Sequence, residues 1–187
     1  MRRYLLPALM ISLLLSGCGG ADAQRKIAEQ HQRFADAQAL SFVADVTADL
    51  GSEVFDCSLA CAFEQETVTV EVLAPESVAG VRARVADGSL ALEYEGLSLG
   101  VGTAGLDDIT PVGAGPLLVQ ALRSGFLQRC WTERDGDRDL LVAQVYVSDL
   151  AALTVWYDGE TLAPVHGEFS QDGAVVLRCE IRDFTYN

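Results

Sequence analysis

From Ser41 onward the apolar residues recur at every second position, and that period limits the fold more than any other feature of the chain. Phe42, Ala44, Val46, Ala48 and Leu50 point one way while Ser41, Asp45, Thr47 and Asp49 point the other. The alternation returns in Phe55, Cys57, Leu59, Cys61 and Phe63, then in Val68, Val70 and Val72, then in Val81, Ala83 and Val85. A period of two suits strands with one buried face and rules out a helical bundle. Asp87-Gly88, Asp135-Gly136, Asp158-Gly159 and Asp172-Gly173 lie between such runs. Asp-Gly is a strong hairpin signal because both residues tolerate the positive φ of a tight two-residue turn. Antiparallel meanders follow, continuing through Leu140 to Ser148, Leu153 to Asp158, Leu162 to Ser170 and Ala174 to Tyr186. The expected total is about nine or ten strands.

Two stretches have the helical period instead. Ala23 to Ala39 lacks Gly and Pro and spaces Ile27, His31, Phe34 and Gln38 along one face. Gly115 to Gly125 places Pro116 at an expected first helical position and Gly125 just past the last, with Leu117, Leu118, Ala121 and Leu122 on one side. That side should lie on the sheet. With 187 residues, half of them hydrophobic, the chain can bury the core of one domain. Its formal net charge of -14 repels phosphate backbones and anionic headgroups, which argues against a nucleic-acid partner and against a polybasic membrane contact.

The N-terminus addresses the chain for export. Arg2 and Arg3 precede an apolar run from Leu5 to Leu15, too short to span a bilayer and followed by polar sequence after Gly20. Leu15-Ser16-Gly17-Cys18 resembles the lipobox of bacterial lipoproteins, in which cleavage before the cysteine leaves a thiol carrying diacylglycerol. The expected organisation is a signal peptide at 1–17, a lipidated Cys18 with a short tether at 18–24, and a folded domain at 25–187. The expected place is the outer leaflet of the cell membrane. In a two-membrane host, Gly19 after the cysteine favours the outer membrane.

Catalytic constellations are sparse. His31 and His166 are the only histidines, too few for a three-histidine zinc site, and no Gly-x-Ser-x-Gly elbow occurs. Gly100 to Gly105 satisfies a dinucleotide-binding glycine pattern, but Asp107-Asp108-Ile109-Thr110-Pro111 follows where a helix should start, so it reads as a Gly-rich connection. Asp107 and Asp108 lack the further oxygen ligands of a cation loop. Trp131 and Trp156 read as packing residues. No catalytic residue, metal or cofactor is expected, and the chain is not expected to be an enzyme.

Cys57, Cys61, Cys130 and Cys179 form an even set in an exported chain. On one strand Cys57 and Cys61 would stand about 13 Å apart, beyond disulfide reach. Either each crosses to Cys130 or Cys179 on distant strands, or all four are buried free thiols acting as small hydrophobes.

Thr69 to Val81, with Pro75 in its turn, and Leu90 to Leu97 resemble the paired strands of LolA-like lipoproteins. Ile109-Thr110-Pro111-Val112 resembles the entry to their inter-strand helix, and Leu153 to Val165, with Tyr157-Asp158 before Pro164-Val165, is similar to their late hairpin. The resemblance implies a mainly β (α+β) fold, a curved antiparallel sheet forming an unclosed half-barrel covered by helices. It also implies a hydrophobic ligand in the concavity, an acyl chain, lipid or lipoprotein anchor, and a part in envelope lipid or lipoprotein transport. Phe42, Val46, Phe55, Leu59, Leu117 and Leu122 are the candidate lining. The alternative is a non-catalytic sensor or scaffold lipoprotein that docks a partner protein, its concavity filled by its own side chains.

Overall fold

The computed structural model describes residues 18–49, 51, 53–103, 109–148 and 151–187. Residues 1–17, expected as a signal peptide, lie outside them together with Leu50, Asp107 and Asp108. The chain begins with helix α1 (Cys18–Asp36), then β1 (Ala39–Asp49), β2 (Val54–Glu64), β3 (Thr67–Ala74), β4 (Arg82–Ala86), β5 (Ser89–Tyr94) and β6 (Leu97–Thr103). Helix α2 (Ala114–Ser124) precedes β7 (Phe126–Asp135), β8 (Arg138–Ser148), β9 (Ala151–Asp158), β10 (Pro164–Gln171) and β11 (Ala174–Tyr186). All eleven strands belong to one antiparallel sheet in the order β6-β5-β4-β3-β2-β1-β11-β10-β9-β8-β7. The sheet is an open half-barrel whose edges are β6 and β7.

Pairing β1 with β11 fuses an N-terminal and a C-terminal meander at mid-sheet. The chain between the two edge strands must therefore cross from one side of the sheet to the other, and α2 lies on that crossing. It packs on β1, β2, β3 and β8, while α1 packs on β7, β8 and α2. The close approach of α2 depends on Gly115, where an added Cβ would stand 2.6 Å from Cys61 Sγ and 2.9 Å from Val70 Cγ2. Leu117, Leu118, Val119, Ala121 and Leu122 are buried there, each large side chain contributing roughly 1.5–3 kcal/mol.

Several boundaries differ from those read in the sequence, each for a local reason. Helix α1 already includes residues 18–24, expected as a tether, and it stops at Asp36, so Gln38 lies in the connection to β1. Helix α2 starts at Ala114, two residues before Pro116, which any first-turn position tolerates because those N–H groups need no helical partner. Asp87-Gly88 and Asp172-Gly173 are the expected two-residue turns, with both φ angles positive. After Asp158 comes a five-residue loop instead, its carboxylate accepting from the backbone N–H groups of Glu160 and Thr161. Strand β7 has no clean alternation because its register slips between Leu127 and Arg129. Gly100 is not in a flexible connection but in edge strand β6.

Candidate functional site: the concave face of the sheet

Cross-strand registers carry three apolar rows over the concave face of the N-terminal half. Leu40, Phe63, Val68, Val85 and Leu90 form the first, and Phe42, Cys61, Val70, Ala83, Leu92 and Leu99 the second. The third runs through Ala44, Leu59 and Val72 to Val81, then to Tyr94 and Leu97. Directly opposed residues share a face, so the second and third rows run from beneath the helices to the edge at β6, while the first ends at Leu90, opposite Gly102.

Burial divides each row in two. Phe42, Leu59, Cys61, Val70, Val72 and Ala83 are buried in the core. Val81, Leu90 and Leu92 are half-buried and packed against it. Beyond them Tyr94, Leu99 and Leu97 are 47%, 67% and 77% exposed. The principal contacts of both helices end at β3 on this side, so among the described residues β4–β6 form an apolar wing that no helix roofs.

Of the six residues proposed as lining, Phe42, Val46, Leu59, Leu117 and Leu122 come together, but in one packed cluster under α1 and α2. They touch one another, as apolar rows do where helices cover them. Phe55 points the same way at the rim opposite Ala48 and is 44% exposed. The accessible surface therefore belongs to Leu92, Tyr94, Leu97 and Leu99, which sequence reading did not single out. The signal was present in the alternation of Leu90, Leu92, Tyr94, Leu97 and Leu99, but a sequence does not show which rows a helix leaves uncovered.

Polar contacts help hold the helices down. His31 and Tyr157 share a 2.6 Å hydrogen bond inside the core, and burial pulls the His31 ring down to about 4. Arg123, in the last turn of α2, donates to the carbonyls of Phe34 and Ala37 at 2.9 and 2.8 Å, with its guanidinium 3.7 Å from the centre of the Phe63 ring. These are the orphan carbonyls at the C-terminal end of α1, so Arg123 caps one helix from the other.

Cys57, Cys61, Cys130 and Cys179 are free thiols in this structure, with no two of them bridged. Register is the reason. Cys57 and Cys179 both pair with Val46, from opposite sides of β1. Two strand spacings, about 9.5 Å, separate them, beyond disulfide reach. Cys130 sits opposite Ala143 in the other half of the sheet. Among the described residues no group of three or more His, Cys, Asp and Glu side chains could hold a metal.

No protein-family model matches the chain, and no curated protein matches it by sequence. Solved structures do match. A LolA superfamily protein from Nitrosomonas europaea is 12% identical with a TM-score of 0.50 over 88% of this chain and 93% of that one. A putative outer membrane lipoprotein-sorting protein domain from Vibrio parahaemolyticus is 11% identical with a TM-score of 0.52 over the same shares. The chain has a LolA-like fold. A DUF1329 family protein from Desulfovibrio piger shares this LolA-like architecture at 10% identity, with a TM-score of 0.53 over 90% of this chain and 94% of that one.

Proposed function

We propose that this LolA-like chain is an exported, non-catalytic lipoprotein, anchored through Cys18, that holds a hydrophobic ligand against the concave face of its sheet. The ligand is an acyl chain, a lipid or the lipid anchor of another protein, and the work is lipid or lipoprotein transport at the cell envelope. The observation that carries this reading is the run of apolar rows past the helices to Tyr94, Leu97 and Leu99. An acyl chain laid along the wing would remove these side chains from water, each buried methylene gaining about 0.8 kcal/mol. A bilayer offers a similar apolar environment, so exchange between membrane and wing is close to neutral, as loading and release require. The lipobox-like Leu15-Ser16-Gly17-Cys18 supports the anchor and the export, and the likeness to a lipoprotein-sorting domain is in keeping with the cargo.

The second reading, a sensor or scaffold docking a partner protein, draws on the filled centre of the concavity, where Phe42, Val46 and Leu59 are already packed. Lipid extraction of the purified protein with mass spectrometry separates the two, since only the carrier brings ligand with it. For the anchor, Cys18→Ala should move the exported protein from the membrane to the soluble fraction. Retention in membranes would contradict it.

A further inference from the structure

The outer face of β7–β9 differs from the rest of the convex surface. Elsewhere that surface is a lattice of ion pairs, among them Arg182 with Asp45, Arg178 with Glu168 and Arg82 with Glu71. On β7–β9 it is aromatic. Trp131 of β7, Val142 of β8 and Trp156 of β9 stand in one cross-strand row. Val142 is fully buried yet lies outside the core cluster, because it faces the other way, between the two indoles. The Glu133 carboxylate accepts both indole N–H groups, at 2.6 Å from Trp131 and 2.8 Å from Trp156. Phe126, 71% exposed, and Tyr146, 38% exposed, extend the same face as an opposed pair, and the Arg129 guanidinium stands 5.6 Å from the centre of the Trp131 ring.

The N-terminus arrives at this edge. Helix α1 begins at Cys18 and packs on β7, so closely that a Cβ added to Gly20 would stand 3.6 Å from the carbonyl oxygen of Cys130. Cys130 lies between Arg129 and Trp131 in the chain. Helix α1 thus starts at the β7 edge, on the concave side of the strand whose outer face carries Trp131, so an anchor at Cys18 is held at the edge that bears the patch.

We infer that the outer face of β7–β9 is the side this protein lays on a lipid bilayer, with Trp131, Trp156 and Phe126 at headgroup depth and Arg129 reaching a lipid phosphate. The inference rests on the reading of Cys18 as a membrane anchor. Indoles whose N–H groups are already satisfied present ring faces and carbon edges, surfaces suited to the apolar side of an interface. An arginine beside them can keep its stem in that layer and its head among phosphates. The acidity of the whole chain points to zwitterionic headgroups over anionic ones. This placement leaves β6 and the unroofed wing, at the opposite edge of the sheet, free for a ligand.

Trp131 and Trp156 are the only tryptophans, so intrinsic emission reads the patch directly. The full lipid-anchored chain is reconstituted into phosphatidylcholine vesicles, with and without bromine on the acyl chains, and flotation is measured in parallel. The expected result is co-flotation, a blue shift on reconstitution, reduced quenching by aqueous acrylamide, and a marked loss of emission in the brominated vesicles. A chain that stays in solution overturns the anchor reading and this placement with it. A chain that floats but keeps its emission in brominated vesicles overturns the placement alone and leaves the patch to a protein partner.

Discussion

His31 Nε2 in α1 lies 2.6 Å from the hydroxyl oxygen of Tyr157 in β9, and both side chains are buried. This contact, together with Gln30 donating to the Tyr186 hydroxyl at 3.2 Å, ties the N-terminal helix to the C-terminal half of the sheet. Desolvation keeps the His31 ring neutral down to about pH 4, against 6.5 for an unhindered imidazole. Between those values the unfolded chain binds a proton that the folded chain refuses, so acid favours unfolding. The stability is complete above pH 6.5, falls as pH drops towards 4, and loses on the order of 3 kcal/mol over that window. Urea unfolding across pH 4 to 7 should show this slope, and His31→Gln should flatten it. Equal slopes in the two proteins would assign the acid sensitivity to carboxylates instead.

Arg123 should matter more than an exposed helix-end arginine would. It satisfies the carbonyls of Phe34 and Ala37 and covers Phe63, and 16% of its side chain is exposed. Arg123→Lys keeps the charge but ends one bond short of the Nη1 atom that donates to both carbonyls, and it loses the planar guanidinium over Phe63. It should cost about 1.5–3 kcal/mol and speed amide exchange in the last turns of α1 while leaving β10 and β11 protected. Unchanged exchange in α1 would show that packing alone holds the helix.

The sheet was legible in the sequence because one buried face imposes its period directly on the residues. Phe42 to Ala48 and Leu59 to Phe63 alternate in the structure as they alternate in the text. Where a bulge breaks the period, as at Leu127 and Arg129 in β7, the alternation does not mark where the strand begins. The site was legible only by type. Phe42, Val46, Leu59, Leu117 and Leu122 do share the concave side, but periodicity carries no information about how far a roof extends. Arg123 escaped notice because its partners are backbone carbonyls, which leave no mark in the sequence.

Thiol chemistry should follow burial. Burial pushes all four thiols upward, Cys57 and Cys130 being half-buried and Cys61 and Cys179 buried, with that of Cys61 reaching about 12. A thiolate-selective reagent should label Cys57 and Cys130 in the folded protein and reach Cys61 and Cys179 only after denaturation. Mass spectrometry should then count four labelled cysteines besides Cys18. Fewer than four without prior reduction would reveal a disulfide.

The wing of β4–β6 is the centre of the functional account, and Leu99 is the place to test it. At 67% exposure, Leu99→Glu should fold normally while setting a charge where an acyl chain would lie. The measurement is titration of the delipidated Cys18→Ser protein with a fluorescent fatty acid. The account predicts saturable binding by the parent protein and affinity weaker by about tenfold or more in Leu99→Glu, the equivalent of at least 1.4 kcal/mol. No saturable binding by the parent, or equal binding by the two proteins, would contradict it.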